Sequence, residues 1–346
     1  MREARTDVDD ADRLARVTLS RTIEPGDLRV TGLVNELGAS KVLGYLEAAA
    51  DVESHWGFAL AQELSRVDPA QVLEQAAGHG IRFIVPGDAE WPTQLDALRN
   101  AGALHDRGGE PVGLWVRGAH DLRQLAGNAV AVVGSRAATS YGTEQATELS
   151  RDLAKMGHTV ISGAAYGVDQ AAHRGALLAG GPTIAVMPCG VDRPYPTAHA
   201  QLLDTIAERG LVVSEAPPGT VPTRTRFLAR NRITAGLAEG TVVVEGAVRS
   251  GALNTAHWTT NLHRPLMGVP GPVSSAASTA VNQLIRLGHA SAVTTAQDVV
   301  TDVMTHQARA ASSDVDQVDE SFVPGPVRST GPAFSGAAGP LTTPRR

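Results

Sequence analysis

Between residues 111 and 300 the chain alternates short apolar runs with segments of helical pattern. The runs 113–116, 129–133, 159–161, 183–186, 211–213, 241–244 and 266–269 have strand length and almost no polar interruption. Strands that are apolar on both faces need cover on both faces, which defines a parallel, doubly wound α/β sheet. Helices fit between the runs, over 141–156, 168–179, 199–209, 227–238 and 251–262. In such a sheet, ligands bind outside the carboxyl ends of the strands, where loops lead into helices.

The flanks have other patterns. Residues 1–80 form a helical N-terminal region, with apolar positions such as Leu14, Val17, Leu19, Leu33, Val34, Leu37, Val42, Leu43 and Leu46, and breaks at Pro25-Gly26 and Gly38. A connector over 81–110 contains Trp91-Pro92, and the α/β domain occupies 111–305. Residues 306–346 are rich in Gly, Pro and Ser and poor in large apolar side chains, so disorder is expected there. Cys189 is the only cysteine, which excludes an intrachain disulfide and a cysteine-based zinc site. The acidic start MREARTDVDDADRLAR lacks the apolar core of a signal peptide, and no window approaches 18 apolar residues. A cytoplasmic protein without membrane insertion is expected.

Charge is distributed unevenly. Residues 1–126 hold 20 acidic against 13 basic side chains, whereas 127–300 hold 11 against 13. The basic character peaks in VPTRTRFLARNRITAG, residues 221–236, where Arg224, Arg226, Arg230 and Arg232 surround Phe227 and no acid occurs from Ala216 to Ala238. Arginine recognises phosphate through a planar fork, and an aromatic ring among arginines offers a face for an unpaired base. A local anion site for a single-stranded nucleic acid or another phosphorylated ligand is therefore expected.

Three further strand ends carry loops of comparable chemistry. In AVVGSRAATSYG, residues 131–142, Gly134, Ser135 and Arg136 precede a helix and can present backbone N–H groups to an anion. The loop is neither a dinucleotide fingerprint nor a Walker A loop, because the required glycines and lysine are missing. In ISGAAYGVDQAAH, residues 161–173, Ser162, Gly163 and Gly167 permit close backbone approach. Asp169 and His173 follow at i,i+4; without a nucleophile or metal cluster beside them, they are placed as a helix stabiliser and a structural hydrogen-bonder. In VVEGAVRSGALNTAHW, residues 243–258, Ser250-Gly251 opens a helix, and Glu245 is placed as an ion-pair partner holding the arginines in register. No acid–base–nucleophile set is present, so binding is expected and catalysis is not; no metal or cofactor is called for.

Taken in order, GSR (134–136), SG-x-A-x-G-x-D-x-x-AH (162–173), YP (195–196), SE (214–215), F-x-x-RNR (227–232), VE (244–245), SG-x-L-x-TA (250–256) and VPG (269–271) resemble the DNA-processing protein A (DprA/Smf) family. The resemblance runs from about Leu14 to Val300 and includes the EPGD and WP elements of the N-terminal part. It implies an extended Rossmann-like fold preceded by a small all-α, sterile-alpha-motif-like domain. It also implies a homodimer that binds single-stranded DNA in natural transformation and recombination, protects incoming strands and loads the RecA recombinase, without established enzymatic activity. The implied DNA contacts are Ser135 and Arg136, the Ser162-Gly163 loop, Phe227 and the Arg230-Asn231-Arg232 turn. The chain departs from the family in lacking a clear C-terminal winged helix. His199 stands where asparagine is usual after YP, and a glycine is missing from SSAASTAVNQLI, residues 274–285.

Four phosphates seated by these groups predict a salt slope of about −2.8 and roughly a 50-fold loss of affinity between about 50 and 200 mM salt. Two rivals use the same loops: a sensor of a nucleotide-derived ligand, and a hydrolase of the glycosidic bond of nucleoside monophosphates. The hydrolase reading is opposed by the absence of any Asp or Glu between Gly246 and Gln297, where such enzymes place a glutamate after a glycine-rich loop.

Overall fold

A computed structural model describes residues 9–50, 63–64, 66–247 and 250–319. Residues 1–8 and 51–62 of the expected helical region, residues 248 and 249 of the loop after Glu245, and residues 320–346 of the expected tail lie outside the described residues.

The sheet has nine strands and is parallel over most of its width. Its members are β1 (Ile81–Ile84), β4 (Leu114–Arg117), β5 (Ala129–Val133), β6 (Thr159–Ser162), β7 (Thr183–Val186), β8 (Leu211–Ser214), β9 (Gly240–Val243), β10 (Leu266–Gly268) and β11 (Ser291–Ala292). Two further strands, β2 (Ala103–Leu104) and β3 (Arg107–Gly108), pair only with each other. The strand order is β1-β4-β8-β7-β6-β5-β9-β10-β11. Strands β5 to β8 step outward in one direction and are parallel. The chain then returns to place β9 against the other side of β5, also parallel, with Val133 opposite Val243. The order reverses at this junction, so the carboxyl ends of β5 and β9 border the crevice where doubly wound sheets bind ligands.

Both faces of the central strands are covered, and the period of two is visible residue by residue. Ala129 and Ala131 face Ile233, Leu237 and Trp258 in one core layer. Val130 and Val132 face Ala146, Leu149 and Leu153 in the other. The covering helices come from α1 (Asp10–Thr22), α2 (Leu28–Leu37), α3 (Ala39–Ala50), α4 (Pro69–Gly78), α5 (Leu122–Ala126), α6 (Ser140–Lys155), α7 (Val168–Leu178), α8 (Ala200–Arg209), α9 (Arg224–Leu237), α10 (Gly251–Asn261), α11 (Thr279–Arg286) and α12 (Ala296–Asp319).

The connector is more than a linker. It supplies β1, which pairs antiparallel with β4 at one edge of the sheet, and Trp91, Leu95 and Leu98, all fully buried in the central core. Residues up to His306 form one compact unit that includes α1–α4, with Val17 packed in the same cluster as Ile81, Phe83 and Val212. The α/β domain therefore begins near residue 81 instead of 111. At the other end, helix α12 carries the chain to Asp319, so residues 307–319 are helical where disorder was expected.

Candidate nucleic-acid interface

Helix α9 changes character along its length. Thr223 caps it, accepting from the Arg226 amide at 3.3 Å. Its first turns are partly exposed, whereas every residue from Ala229 to Leu237 is buried. The helix thus enters the core from the rim of a cleft of about 730 Å³, which opens over the carboxyl ends of β5 and β9. Lining it are Gly134, Ser135 and Arg136 after β5, Ala165 and Asp169 after β6, Phe227, Arg230 and Asn231 from α9, and Ser250 and Gly251 at the start of α10. Four loops far apart in the chain meet here.

Arg230 is the centre of the cleft. It is only 8% exposed, and its Nε is buried without a hydrogen-bond partner among the described residues. Burial pulls its pKa down; Asp169 opposes that through space, and the charge on Arg136 adds to it. The guanidinium lies against Gly163, where a Cβ would fall inside it. Asp169 is 6% exposed, with its pKa raised by burial and opposed by Arg230, the Ala165 and Gly134 amides and the Ser162 hydroxyl. A buried cation without a hydrogen-bonded anion is costly to leave as it is.

Phe227 gathers the remaining groups. The Arg136 guanidinium lies over its ring at 4.5 Å from the centroid, and Arg230 at 5.8 Å. Tyr195 meets it edge-on at 5.6 Å. Arg136 itself is exposed. Gly167, at φ 78°, lets α7 start directly beneath the Ser135 and Arg136 carbonyls, where any side chain would clash. Ser250 has a buried hydroxyl without a partner among the described residues, and Asn231 donates at 3.0 Å to Asn254 and at 3.4 Å to the Gly251 carbonyl, fixing the start of α10.

Three expected roles are corrected. Arg232 does not face the cleft: it is fully buried, makes a bidentate ion pair with Glu215 at 2.6 Å, and donates through Nε to the Gly109 carbonyl at 3.0 Å. Residues two positions apart on a helix lie about 200° apart around its axis, so Arg230 and Arg232 must point opposite ways. Gly26, at φ 71°, packs on the Arg232 guanidinium, which makes this side chain a bolt between α9 and the Pro25-Gly26 turn. Ser162 belongs to β6 and not to the loop after it; its buried hydroxyl donates to the Val132 carbonyl at 2.6 Å, tying β6 to β5. Glu245 pairs with no arginine among the described residues. It accepts from the Thr139 hydroxyl at 2.6 Å and the Thr139 amide at 2.9 Å, anchoring the turn that starts α6.

His173 is fully buried, bonds Thr183 through Nδ1 at 2.8 Å, and is pushed down to about 3 by burial first and by the charges of His199 and Arg230 next. Arg226 is bound to Glu24 at 2.7 and 3.0 Å, leaving Arg224 as the third arginine of the cleft beside Arg136 and Arg230. Arg224, one of the four arginines of the expected anion site, lines the cleft, as does Tyr195 of the YP motif, to which the sequence assigns no contact. Among the described residues no group of three or more His, Cys, Asp or Glu side chains could hold a metal ion, and no helix is long and apolar enough to cross a membrane.

Fold and cleft together define a doubly wound α/β protein with an arginine-lined cleft at its switch point. Residues 82–304 match the DNA recombination-mediator protein A family, and the chain belongs to that family. It is 44% identical over 291 residues to a DNA processing protein DprA of Mycobacterium tuberculosis, covering 82% of this chain and 72% of that one. It is 32% identical over 244 residues to DprA of Bacillus subtilis, covering 70% and 78%. The crystal structure of DprA from Streptococcus pneumoniae superposes with a TM-score of 0.69 at 29% identity, over 85% of this chain and 98% of that one. DprA from Helicobacter pylori, whose structure concerns its single-stranded DNA binding mode, superposes with a TM-score of 0.54 at 28% identity, over 64% and 96%.

Proposed function

We propose that this protein binds single-stranded DNA in the cleft between β5 and β9, without catalysing a reaction on it. The observation that carries the reading is Arg230, a buried guanidinium whose Nε has no acceptor among the described residues, at the floor of a cleft holding two more arginines and two aromatic rings, Phe227 and Tyr195. Arg230 seats one phosphate and Arg136 and Arg224 its neighbours, while Phe227 stacks an unpaired base without regard to its identity. The family and the single-stranded DNA bound by the H. pylori relative support a role in DNA processing during transformation and recombination. Within that role we infer protection of incoming strands and handover to a RecA-type recombinase by a cytoplasmic homodimer.

The cleft lining contains one carboxylate, Asp169, which accepts from the Ala165 amide at 3.4 Å and lies close enough to Arg230 for their charges to interact. Glu245, the other acid that a glycosidic hydrolase could use, is occupied by Thr139. Thermal-shift titration with nucleoside monophosphates and with oligonucleotides, followed by assay for free base, tests the reading. Stabilisation by oligonucleotides alone and no base release is expected. Stabilisation by a mononucleotide at lower concentration than any strand, or release of base, would replace strand binding by a sensor or a hydrolase.

A further inference from the structure

We propose that Tyr166 is a second stacking platform, taking the base of a nucleotide next to the one held at Arg136 and Phe227; this rests on the strand-binding reading above. Tyr166 is 48% exposed, yet it is held from beneath. Its ring meets the ring of His199 edge-on, with centroids 4.7 Å apart and planes at 70°. His199 is 2% exposed and donates from Nδ1 to the Ala164 carbonyl at 2.9 Å. Ala164 has φ 53°, a left-handed conformation that is uncommon outside glycine and is retained where the surroundings impose it.

The loop carrying Tyr166 is pinned to the cleft on both sides. Gly163 lies against the Arg230 guanidinium, and Gly167 against the Ser135 and Arg136 carbonyls. Ala165 lines the cleft and gives its amide to Asp169 at 3.4 Å. Consecutive Cα atoms are about 3.8 Å apart, so the Tyr166 Cα stands one residue from the cleft-lining backbone of Ala165. An exposed aromatic ring in fixed orientation at the rim of a phosphate site is the arrangement that sequence-independent strand binders use for successive bases. His199 acts on the strand through Tyr166 and is a positioning residue.

Fluorescence anisotropy with two labelled strands of equal length tests the platform, one of normal sequence and one carrying abasic sites throughout. Tyr166→Ala should weaken binding of the normal strand roughly five- to a hundred-fold, the effect of losing one base–aromatic stack. Binding of the abasic strand should be unchanged, and Tyr166→Phe should match wild type on both. An affinity of Tyr166→Ala for the normal strand within twofold of wild type would overturn the platform while leaving the cleft as a strand site. Equal loss on both strands would also overturn it, showing a collapsed loop instead of a lost stack. No binding of either strand by wild type would overturn the strand reading and the platform together.

Discussion

The guanidinium of Arg136 lies over the ring of Phe227, 4.5 Å from its centroid, so a cation covers one face of the ring. A cation–π contact at an exposed site contributes about 0.5–1 kcal/mol. A charge-assisted hydrogen bond to phosphate contributes about 1.5–3 kcal/mol, and a base stacked on an aromatic ring about 1–3 kcal/mol. On the proposed reading the exchange favours the strand, with Arg136 expected to leave the ring for a phosphate and a base to take its place. Phe227→Ala should therefore weaken strand binding by about 1–3 kcal/mol with an unchanged salt slope. A slope flattened by a whole phosphate would contradict the stacking role.

The salt slope itself is set by how many arginines are free. Arg226 and Arg232 are bound to Glu24 and Glu215, so three cations, Arg136, Arg224 and Arg230, face the cleft instead of four phosphate seats. The slope should be about −2.1, with affinity falling roughly 20-fold between about 50 and 200 mM salt. Anisotropy titrations over that range measure it. A slope near −2.8 would require one of the paired arginines to leave its carboxylate.

Arg232 should reveal itself in stability. Arg232→Ala leaves the Glu215 carboxylate buried and uncompensated, a loss of about 3–5 kcal/mol by analogy with other broken buried pairs. Replacing both partners together, Arg232→Met with Glu215→Leu, should cost far less. Urea denaturation of the single and double variants checks this; equal destabilisation by both would show that the pair is not the source.

Gly163 separates the cleft from the fold. Gly163→Ala places a methyl group where the Arg230 guanidinium lies, and displacing that side chain toward solvent should weaken strand binding at least tenfold while the protein remains folded. Unchanged affinity would mean that the position of Arg230 is unimportant.

Burial holds His173 neutral down to about 3, whereas the unfolded side chain titrates near 6.5. Between those values the unfolded chain binds one proton more, so the contribution of His173 is fully present above 6.5 and is lost as the pH falls. From about pH 7 to 5 this amounts to about 2 kcal/mol. His173→Gln should flatten the fall in urea midpoint over that interval, and an identical pH profile would remove His173 as its cause.

Much of this architecture was legible in the chain because apolar strands with two covered faces leave a plain signature. The expected runs 129–133 and 183–186 coincide with β5 and β7, and the loops after β5, β6 and β9 do converge with α9. What escaped depends on contacts distant in sequence. The stretch from Ala216 to Ala238 has no acid, which made four arginines look free, but Glu215 stands one residue outside it and Glu24 comes from the far N-terminal part. Ser162 extends the expected run 159–161 by one residue, which turns its hydroxyl into the sheet toward the Val132 carbonyl. Strand β1 was hidden in a connector because IRFI is short and carries Arg82, as edge strands often do.

Arg230 is proposed to seat a phosphate of a single strand at the floor of the cleft. Anisotropy titration of labelled single-stranded and duplex oligonucleotides, for wild type and Arg230→Gln at several salt concentrations, tests it most directly. Preference for the single strand is expected, with a loss of about 1.5–3 kcal/mol in the variant and a slope shallower by about 0.7. Equal binding of both forms, or an Arg230→Gln variant that binds the single strand as wild type does, would contradict it.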